Sequence, residues 1–291
     1  MNRKLFRART AKPEIVLLPG VANALTALIA ADLGFEALYV TGAGVSNMTL
    51  GVPDIGLLSL NDMVATVTAI RGVCELPLIV DADTGFGSAV NVYRSVQCLE
   101  SAGASAIQLE DQVFPKKCGH FDGKEVVPVR EMVDKIKAAV DARRDGDTLI
   151  MARTDALAVE GFDAAMARAA AYAEAGADLL FVEALTSQEE MRRAPQLVHK
   201  PLLMNIVFGG KTPPMAREEL QTLGYRFALY ANAALQSAAW GMQTVLGELL
   251  HSGSLDAVQH YLIPFTERQR LVRKARFDTL EKRYASSGKP S

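Results

Sequence analysis

Eight short apolar segments, each followed by a helical pattern, constrain the fold of this 291-residue chain. They are IVLLPG from Ile15, ALYVTG from Ala37, PLIVDAD from Pro77, AIQLEDQ from Ala106, LIMARTD from Leu149, LLFVEA from Leu179, PLLMNIV from Pro201 and RFALYAN from Arg226. Strands that are apolar along their length are buried on both faces, as in a parallel sheet covered by helices. Eight such units predict an α/β fold of the (β/α)₈ TIM-barrel type. An open Rossmann-like sheet is the alternative, although no GxGxxG fingerprint follows the first strand.

No linker rich in Pro, Gly or Ser interrupts the eight units, so we predict one barrel domain over residues 1–291. Residues 255–291 lie beyond the eighth unit, and the stretch ERQRLVRKARFDTLEKRY within them has few apolar positions. This pattern predicts a C-terminal helical extension that packs on the barrel or on a neighbouring subunit.

Composition excludes several classes of partner. The net charge is -2, so neither nucleic acid nor another polyion is the expected ligand, and a small molecule is favoured. Three cysteines, Cys74, Cys98 and Cys118, form no CxxC pair, which favours a reducing cytoplasm over a disulfide framework. The basic first ten residues lack the apolar run of a signal peptide, and no apolar stretch of about 18 residues predicts a membrane helix.

Polar side chains follow the predicted strands, at the ends where a barrel places its active site. They are Asp81 and Asp83 after the third strand, Glu110 and Asp111 after the fourth, Arg153 and Asp155 after the fifth, Glu183 after the sixth and Asn205 after the seventh. Asp81 and Asp83 point the same way, and crowding them with Glu110 is unfavourable unless a cation is present. An oxygen-only set suits Mg²⁺. Alternatively, these acids cap helices or pair with Arg153.

The segment PKKCGHFDGK, residues 115–124, concentrates reactive side chains in a glycine-containing loop after the fourth strand. Cations such as Lys116 and His120 favour the thiolate of a neighbouring cysteine. Cys118 is therefore a candidate nucleophile or general acid, and the alternative is a small buried hydrophobe. A Cys-His hydrolase is disfavoured because Cys118 and His120 are only two positions apart and no third orienting group is evident.

Five segments together resemble the isocitrate lyase/phosphoenolpyruvate mutase superfamily. They are KKCGH at 116–120, VDADTGFG at 80–87, IQLEDQ at 107–112, MARTDALAVEG at 151–161 and TGAG at 41–44. Within the superfamily, the chain is most similar to the 2-methylisocitrate lyase and 2,3-dimethylmalate lyase branch. The resemblance implies a modified (β/α)₈ barrel, dependence on Mg²⁺ with Mn²⁺ as a possible substitute, and a homotetramer in which a C-terminal helix is exchanged between subunits.

The resemblance also implies a role for individual residues. For the metal it implies Asp83 as direct ligand, with Asp81, Asp54 and Glu110 holding its waters. For the substrate it implies Thr41, Gly42 and Ala43 at the carboxylate of the keto acid, with Gly119, Asn205 and Asn232 also lining the site. For catalysis it implies Cys118 as the acid, assisted by Lys116, together with His120, Arg153 and Glu183.

The implied activity is a carbon–carbon lyase that cleaves a 2-hydroxy dicarboxylate, of alkylmalate or methylisocitrate type, to an α-keto acid and a carboxylate. Decarboxylation or hydrolysis of oxaloacetate is the nearest alternative. Phosphonate chemistry is less favoured because the members that carry it resemble one another in lacking this CGH loop. A non-catalytic keto-acid binder would bind without turnover.

Two segments depart from the relatives' pattern and bear on specificity. The relatives resemble Asn-Ile-Thr after strand seven, where this chain has Val207 followed by Phe208. After strand eight they carry a Pro and a Ser, where this chain has Ala231 and Ala233 around Asn232. Two hydroxyl donors are thus missing, although Asn232 can replace one. This change predicts a preference for an apolar C3 substituent over a third carboxylate.

Overall fold

The computed structural model describes residues 3–119 and 121–285. Its strands are β1 (Val16–Val21), β2 (Leu38–Val40), β3 (Leu78–Asp81), β4 (Ala106–Glu110), β5 (Leu149–Thr154), β6 (Leu179–Val182), β7 (Leu202–Asn205) and β8 (Phe227–Tyr230). They pair in parallel in sequence order, and β1 pairs with β8 to close the barrel. The predicted (β/α)₈ barrel is therefore confirmed, and the open sheet is excluded.

Helices alternate with the strands along the chain, as the sequence pattern predicts, and further helices precede β1 and follow β8. They are α1 (Arg3–Thr10), α2 (Ala24–Asp32), α3 (Gly42–Val45), α4 (Leu60–Arg71), α5 (Ala89–Ala102), α6 (Val129–Ala142), α7 (Leu157–Glu160), α8 (Phe162–Glu174), α9 (Gln188–Leu197), α10 (Arg217–Leu223), α11 (Ala233–Ser252), α12 (Phe265–Leu271) and α13 (Lys274–Tyr284). Among the residues that the structure describes, no helix is long and apolar enough to cross a membrane.

The barrel has two layers of buried apolar side chains. One layer fills the interior with inward-facing strand residues such as Leu18, Met151 and Phe181, and the other lies between strands and helices. Alternation of side chains along each strand produces this division, which explains why the strands read as continuous apolar runs. Phe6 of α1 joins the interior layer, with its ring centroid 6.3 Å from that of Phe227.

The chain forms two compact units, and their boundary lies after Leu235, within α11. The predicted extension, residues 255–291, falls in the second unit, and a single domain over the whole chain stays a prediction. The stretch predicted as one terminal helix forms α12 and α13 instead, because Arg273 between them has a φ of 57° and interrupts the helical backbone. Exchange of a helix between subunits stays a prediction.

Candidate active site

The carboxyl ends of the strands converge on a small cavity of about 30 Å³, roughly the volume of one water molecule. Ten of the predicted site residues line it, namely Thr41, Ala43, Asp54, Asp81, Cys118, Gly119, Arg153, Glu183, Asn205 and Asn232. Gly42, Asp83, Glu110 and Lys116 lie beside the cavity through contacts with these residues. The prediction for His120 lies outside the described residues.

Asp81 is held by three donors at the end of β3. Its Oδ1 accepts hydrogen bonds from the backbone N–H of Asp83 (3.1 Å) and from Nε2 of Gln108 (3.2 Å). Its Oδ2 accepts one from the backbone N–H of Gly42 (3.2 Å). Thr41 caps α3 by accepting a hydrogen bond from Gly44, which explains why the TGAG sequence turns at this point.

Lys116 places its ammonium between two carboxylates. Its Nζ contacts Oδ1 of Asp54 closely and lies 2.9 Å from Oδ1 of Asp83. Burial raises the pKa of Asp83 to about 7, against the opposing effect of Lys116. Burial alone would lower the pKa of Lys116, but Asp83 and Glu110 raise it well above its usual value. The lysine therefore stays charged and neutralises part of a crowded acidic site.

Arg153 is the centre of the ionic network. Its Nε and Nη2 donate to the two carboxylate oxygens of Asp155 at 2.8 and 3.0 Å. Arg153 also forms ion pairs with two glutamates. Its Nη2 lies 3.1 Å from Oε2 of Glu183, and its Nη1 lies 3.4 Å from Oε2 of Glu110. The guanidinium also stacks over the ring of Phe181, 5.1 Å from its centroid. Burial alone would lower the pKa of Arg153, but its carboxylate partners raise it well above its usual value.

The acidic residues fit a hard divalent cation. In the described part of the chain, neither carboxylate oxygen of Glu110 has a hydrogen-bond partner, and burial raises the pKa of Glu110 well above its ordinary value. An added cation would supply what these oxygens lack. Among the described residues, no group of three or more His, Cys, Asp or Glu side chains is arranged so that it could hold a metal ion by itself. Mg²⁺ suits this arrangement, because it binds through one or two carboxylates and keeps several waters.

Three residues of the site carried no prediction, namely Tyr39, Phe181 and Leu229, which also line the cavity. Val207 and Ala231, which the sequence predicts to influence specificity, line it as well. Tyr39 donates a hydrogen bond to Gln108, which in turn donates to Asp81. In sequence, Tyr39 and Phe181 are part of apolar strands, and only the alternation of inward-facing positions could have found them. Ala233 was expected beside the substrate, but it is exposed at the start of α11 and is not among the lining residues.

The fold and the site define a (β/α)₈-barrel protein with a carboxylate-rich cavity at the carboxyl ends of its strands. The sequence identifies the family, because the model of the phosphoenolpyruvate phosphomutase family matches residues 6–250. The chain belongs to this family, which confirms the resemblance to the isocitrate lyase/phosphoenolpyruvate mutase superfamily.

Two curated relatives cover most of both chains. The chain is 44% identical over 273 residues to 2,3-dimethylmalate lyase of Eubacterium barkeri, covering 94% of each chain. It is 46% identical over 268 residues to 2-methylisocitrate lyase of Aeropyrum pernix, covering 92% of this chain and 86% of the relative. The similarity to the branch identified from the KKCGH and DADTGFG motifs is thus confirmed.

Solved structures agree with the fold and extend the range of related activities. A crystal structure of 2,3-dimethylmalate lyase matches with a TM-score of 0.91 and 33% identity, covering 99% of this chain and 98% of that one. A structure of oxaloacetate acetylhydrolase with the inhibitor 3,3-difluorooxalacetate matches with a TM-score of 0.91 and 32% identity, covering 99% of this chain and 98% of that one. Phosphonopyruvate hydrolase with oxalate and Mg²⁺ matches with a TM-score of 0.87 and 31% identity, covering 97% and 98%.

Proposed function

We propose that the chain is a carbon–carbon lyase that cleaves a 2-hydroxy dicarboxylate to an α-keto acid and a carboxylate. The observation that carries this proposal is that Arg153 and Cys118 line one cavity together with the carboxylates Asp54, Asp81 and Glu183. A cation for the substrate's carboxylate, a proton donor and an acidic metal site are the parts that such a cleavage requires. The names of the relatives, 2,3-dimethylmalate lyase and 2-methylisocitrate lyase, support the same reaction class.

Asp83, with Asp81, Asp54 and Glu110, would hold Mg²⁺, or Mn²⁺ in its place. When bound, the ion would lower the pKa of a substrate hydroxyl and oppose negative charge on the substrate. Arg153 binds the oxygens of the keto-acid half, and it is positioned by two hydrogen bonds to Asp155. Thr41 and Ala43, at the beginning of α3, line the same cavity.

Cys118 is the proposed general acid. The hydroxyl proton passes to a carboxylate of the site, the C2–C3 bond breaks, and C2 becomes the ketone of the keto acid. The electron pair of that bond passes to the departing carboxylate fragment, and the Cys118 thiol delivers a proton to its carbon. General acid catalysis of this kind contributes about 10²- to 10⁴-fold to the rate.

The cavity has to widen when substrate binds, because its present volume of about 30 Å³ matches one water molecule. Gly119 packs closely against two other lining residues. A methyl group built on it would lie within 2.6 Å of both Arg153 and Glu183. We infer that substrate enters by displacing the backbone at Gly119, and that product leaves by the same route.

Part of the cavity lining is apolar, and we propose that it faces the C3 substituent and favours an alkyl group there. Val207, Leu229 and Ala231 are the apolar residues in question, and the amides Asn205 and Asn232 line the same cavity. A carboxylate placed against Val207 would lose a charge-assisted hydrogen bond worth about 1.5 to 3 kcal/mol, or about tenfold or more in affinity. We therefore propose an alkylated malate as substrate, in preference to isocitrate or 2-methylisocitrate.

A comparison of kcat/KM for 2,3-dimethylmalate and 2-methylisocitrate under identical Mg²⁺ tests both the activity and the preference. We expect a higher value for dimethylmalate. A value about tenfold higher for the tricarboxylate would show that other residues bind its extra carboxylate. Release of no keto acid from either compound, nor from other malate-type acids, would refute the lyase assignment and favour a non-catalytic binder.

Hydrolysis of oxaloacetate is the second candidate, because oxaloacetate acetylhydrolase is as similar in structure as the lyase. Incubation with oxaloacetate separates the outcomes. Oxalate with acetate indicates hydrolysis, whereas pyruvate with CO₂ indicates decarboxylation. Phosphonopyruvate completes the substrate panel as the test for phosphonate chemistry.

We also propose that the protein acts as a homotetramer in the cytoplasm. The support for the oligomer is α11, on which no residue is buried within one chain and which exposes Trp240, Met242, Leu246 and Leu250. Large exposed apolar patches commonly mark protein–protein interfaces. Light scattering after size-exclusion chromatography should give four times the chain mass, and Leu250→Glu should lower the oligomeric state.

A further inference from the structure

Lys124 is a buried lysine at the end of the segment that carries Cys118. Its side chain is 1% exposed, although lysine is rarely buried to this extent without a specific partner. Its Nζ donates one hydrogen bond to the backbone carbonyl of Gly119 and a second, of 2.8 Å, to Oδ1 of Asp155. The ammonium therefore joins the cysteine-bearing segment to a carboxylate at the end of β5.

That carboxylate is the one that positions Arg153. Oδ1 of Asp155 accepts from Arg153 Nη2 at 3.0 Å as well as from Lys124, and Oδ2 accepts from Arg153 Nε at 2.8 Å. Lys124 and Arg153 thus share a single oxygen atom. One lysine side chain and one carboxylate therefore connect Gly119 to the guanidinium.

Asp155 is itself firmly anchored. Its backbone N–H donates to Oδ1 of Asp111 at 2.9 Å. Oδ2 of Asp111 accepts from the hydroxyls of Thr154 at 2.7 Å and Tyr172 at 2.8 Å. These groups are all buried, so Asp155 has little freedom to follow a moving partner. It is a fixed reference point against which Lys124 can hold Gly119.

We propose that Lys124 is a positioning residue, which holds the Gly119 carbonyl, and with it Cys118, at the distance from Arg153 that the reaction requires. The proposal rests on the function proposed above, in which Cys118 is the acid and Arg153 binds the keto-acid half. A buried ion pair contributes little to stability compared with well-packed apolar groups, so geometry is a better reason for this lysine than folding free energy.

Lys124→Met tests the proposal, because methionine keeps most of the volume and removes the ammonium. We expect kcat to fall about tenfold or more, since small misplacements of reacting groups are costly. Binding of oxalate with Mg²⁺ should change by less than about threefold, because Arg153 keeps both of its bonds to Asp155. Alkylation of Cys118 by iodoacetamide should accelerate as the segment loses its tie, with Cys98 on α5 as the internal reference for the rate.

Lys211→Met is the matched control. Lys211 also holds this segment through an ion pair, at 2.6 Å from Asp122, but Asp122 is 95% exposed and neither residue contacts Gly119 or Asp155 in the hydrogen bonds described above. Exposed ion pairs contribute little, so kcat and the alkylation rate should stay within about twofold of the unmodified protein. If Lys211→Met and Lys124→Met change kcat and the alkylation rate equally, then loss of any ion pair to this segment has the same effect and the proposal is wrong.

Three further outcomes are decisive. An unchanged alkylation rate in Lys124→Met would overturn the proposal even if kcat falls, and so would loss of oxalate binding by the same factor as kcat. The double variant Lys124→Met/Asp155→Asn should have the same kcat as Asp155→Asn alone. Additive losses in kcat would show that Lys124 acts independently of Asp155. If Lys124→Met does not fold, Lys124→Leu, which also removes the ammonium, is measured in the same way.

The experiment also separates this proposal from the proposed function. A protein that cleaves none of the hydroxy acids would refute the lyase assignment. The alkylation rates of Cys118 in the two lysine variants would still show whether Lys124 holds the segment in place. Faster alkylation in Lys124→Met alone supports the positioning role, and equal rates in all proteins refute it.

Discussion

Gly119 lies directly against the guanidinium of Arg153. A methyl group built on Gly119 would be 2.5 Å from Nη2 of Arg153 and 2.6 Å from Cγ of Glu183. The guanidinium cannot move away easily, because Arg153 is bound to Asp155 through two nitrogens. A glycine is therefore required at position 119, because a side chain there would collide with Arg153 and Glu183. The segment that carries Cys118 can approach Arg153 only because position 119 lacks a side chain.

Gly119→Ala is expected to lower kcat by about tenfold or more, since the added methyl group pushes the segment away from Arg153 and misplaces Cys118. The measurement is steady-state kinetics with the preferred hydroxy acid. Gly146→Ala is the matched control, because nothing lies within 4 Å of a methyl group at that position. Equal activity of Gly119→Ala and Gly146→Ala would show that the close contact does not matter for turnover.

Cys118→Ser should lose most activity, because a serine hydroxyl is a much weaker acid than a thiol and general acid catalysis contributes about 10²- to 10⁴-fold. Binding of the keto-acid product with Mg²⁺ should persist, since Arg153 and the carboxylates are unchanged. Turnover and product binding are measured on the same preparation. Cys98→Ser on α5 is the control, and near-normal turnover of Cys118→Ser would rule out Cys118 as the acid.

The barrel was predictable from sequence because parallel strands buried on both faces are apolar throughout and helices separate them. Convergence of Asp81, Glu110, Arg153 and Glu183 followed, since the carboxyl ends of all eight strands meet at one end of a barrel. The partners of these residues were not predictable. That Lys116 lies between Asp54 and Asp83 depends on how two loops fold, and no local pattern encodes it.

The partner of Lys124 could not be predicted from the sequence either. It stands in the PKKCGHFDGK segment, where the sequence indicates only another cation in a polar loop. Its burial against Asp155 depends on contact between residues 31 positions apart. The sequence identified Asp155 as an acidic residue at the end of a strand. That it holds Arg153 in place could be recognised only from the distances between their atoms.

Mg²⁺ should stabilise the protein through Asp83. Ligand at about 100 times its Kd adds about 2.7 kcal/mol, which raises Tm by about 5 °C for a chain of this size. Asp83→Asn should abolish this rise and keep the Tm of the metal-free protein, because burial already disfavours the charged form of Asp83. Thermal unfolding with and without Mg²⁺ gives both values. Asp122→Asn, at an exposed position, should respond to Mg²⁺ as the unmodified protein does.

The contribution of Asp155 to stability should depend on pH. Burial alone would raise its pKa, but Arg153 and Lys124 lower it to about 2 in the folded protein. Unfolded aspartate titrates near pH 3.9, so the ionised group stabilises the fold above about pH 4 and loses this contribution as the pH falls from about 4 to 2.

Urea unfolding midpoints of the unmodified protein and Asp155→Asn measure this effect. The variant should be less stable at pH 7, by about 3 kcal/mol or more, because it leaves buried cations without their carboxylate. The difference should shrink at pH 3. Asp163→Asn, whose side chain is 89% exposed, should show a small difference at both pH values. A difference for Asp155→Asn that grows on acidification would contradict the lowered pKa.

Val207 should set the preference between an alkyl group and a carboxylate at C3. It lines the cavity beside Asn205, and a hydroxyl there would offer the donor that the apolar wall lacks. Val207→Thr conserves shape, so we expect kcat/KM for 2-methylisocitrate to rise relative to that for 2,3-dimethylmalate by about tenfold, the equivalent of one hydrogen bond to a charged group. Phe208→Thr is the control, since Phe208 is 86% exposed and does not line the cavity. An unchanged ratio in Val207→Thr, or the same shift in Phe208→Thr, would show that residues other than Val207 choose the substrate.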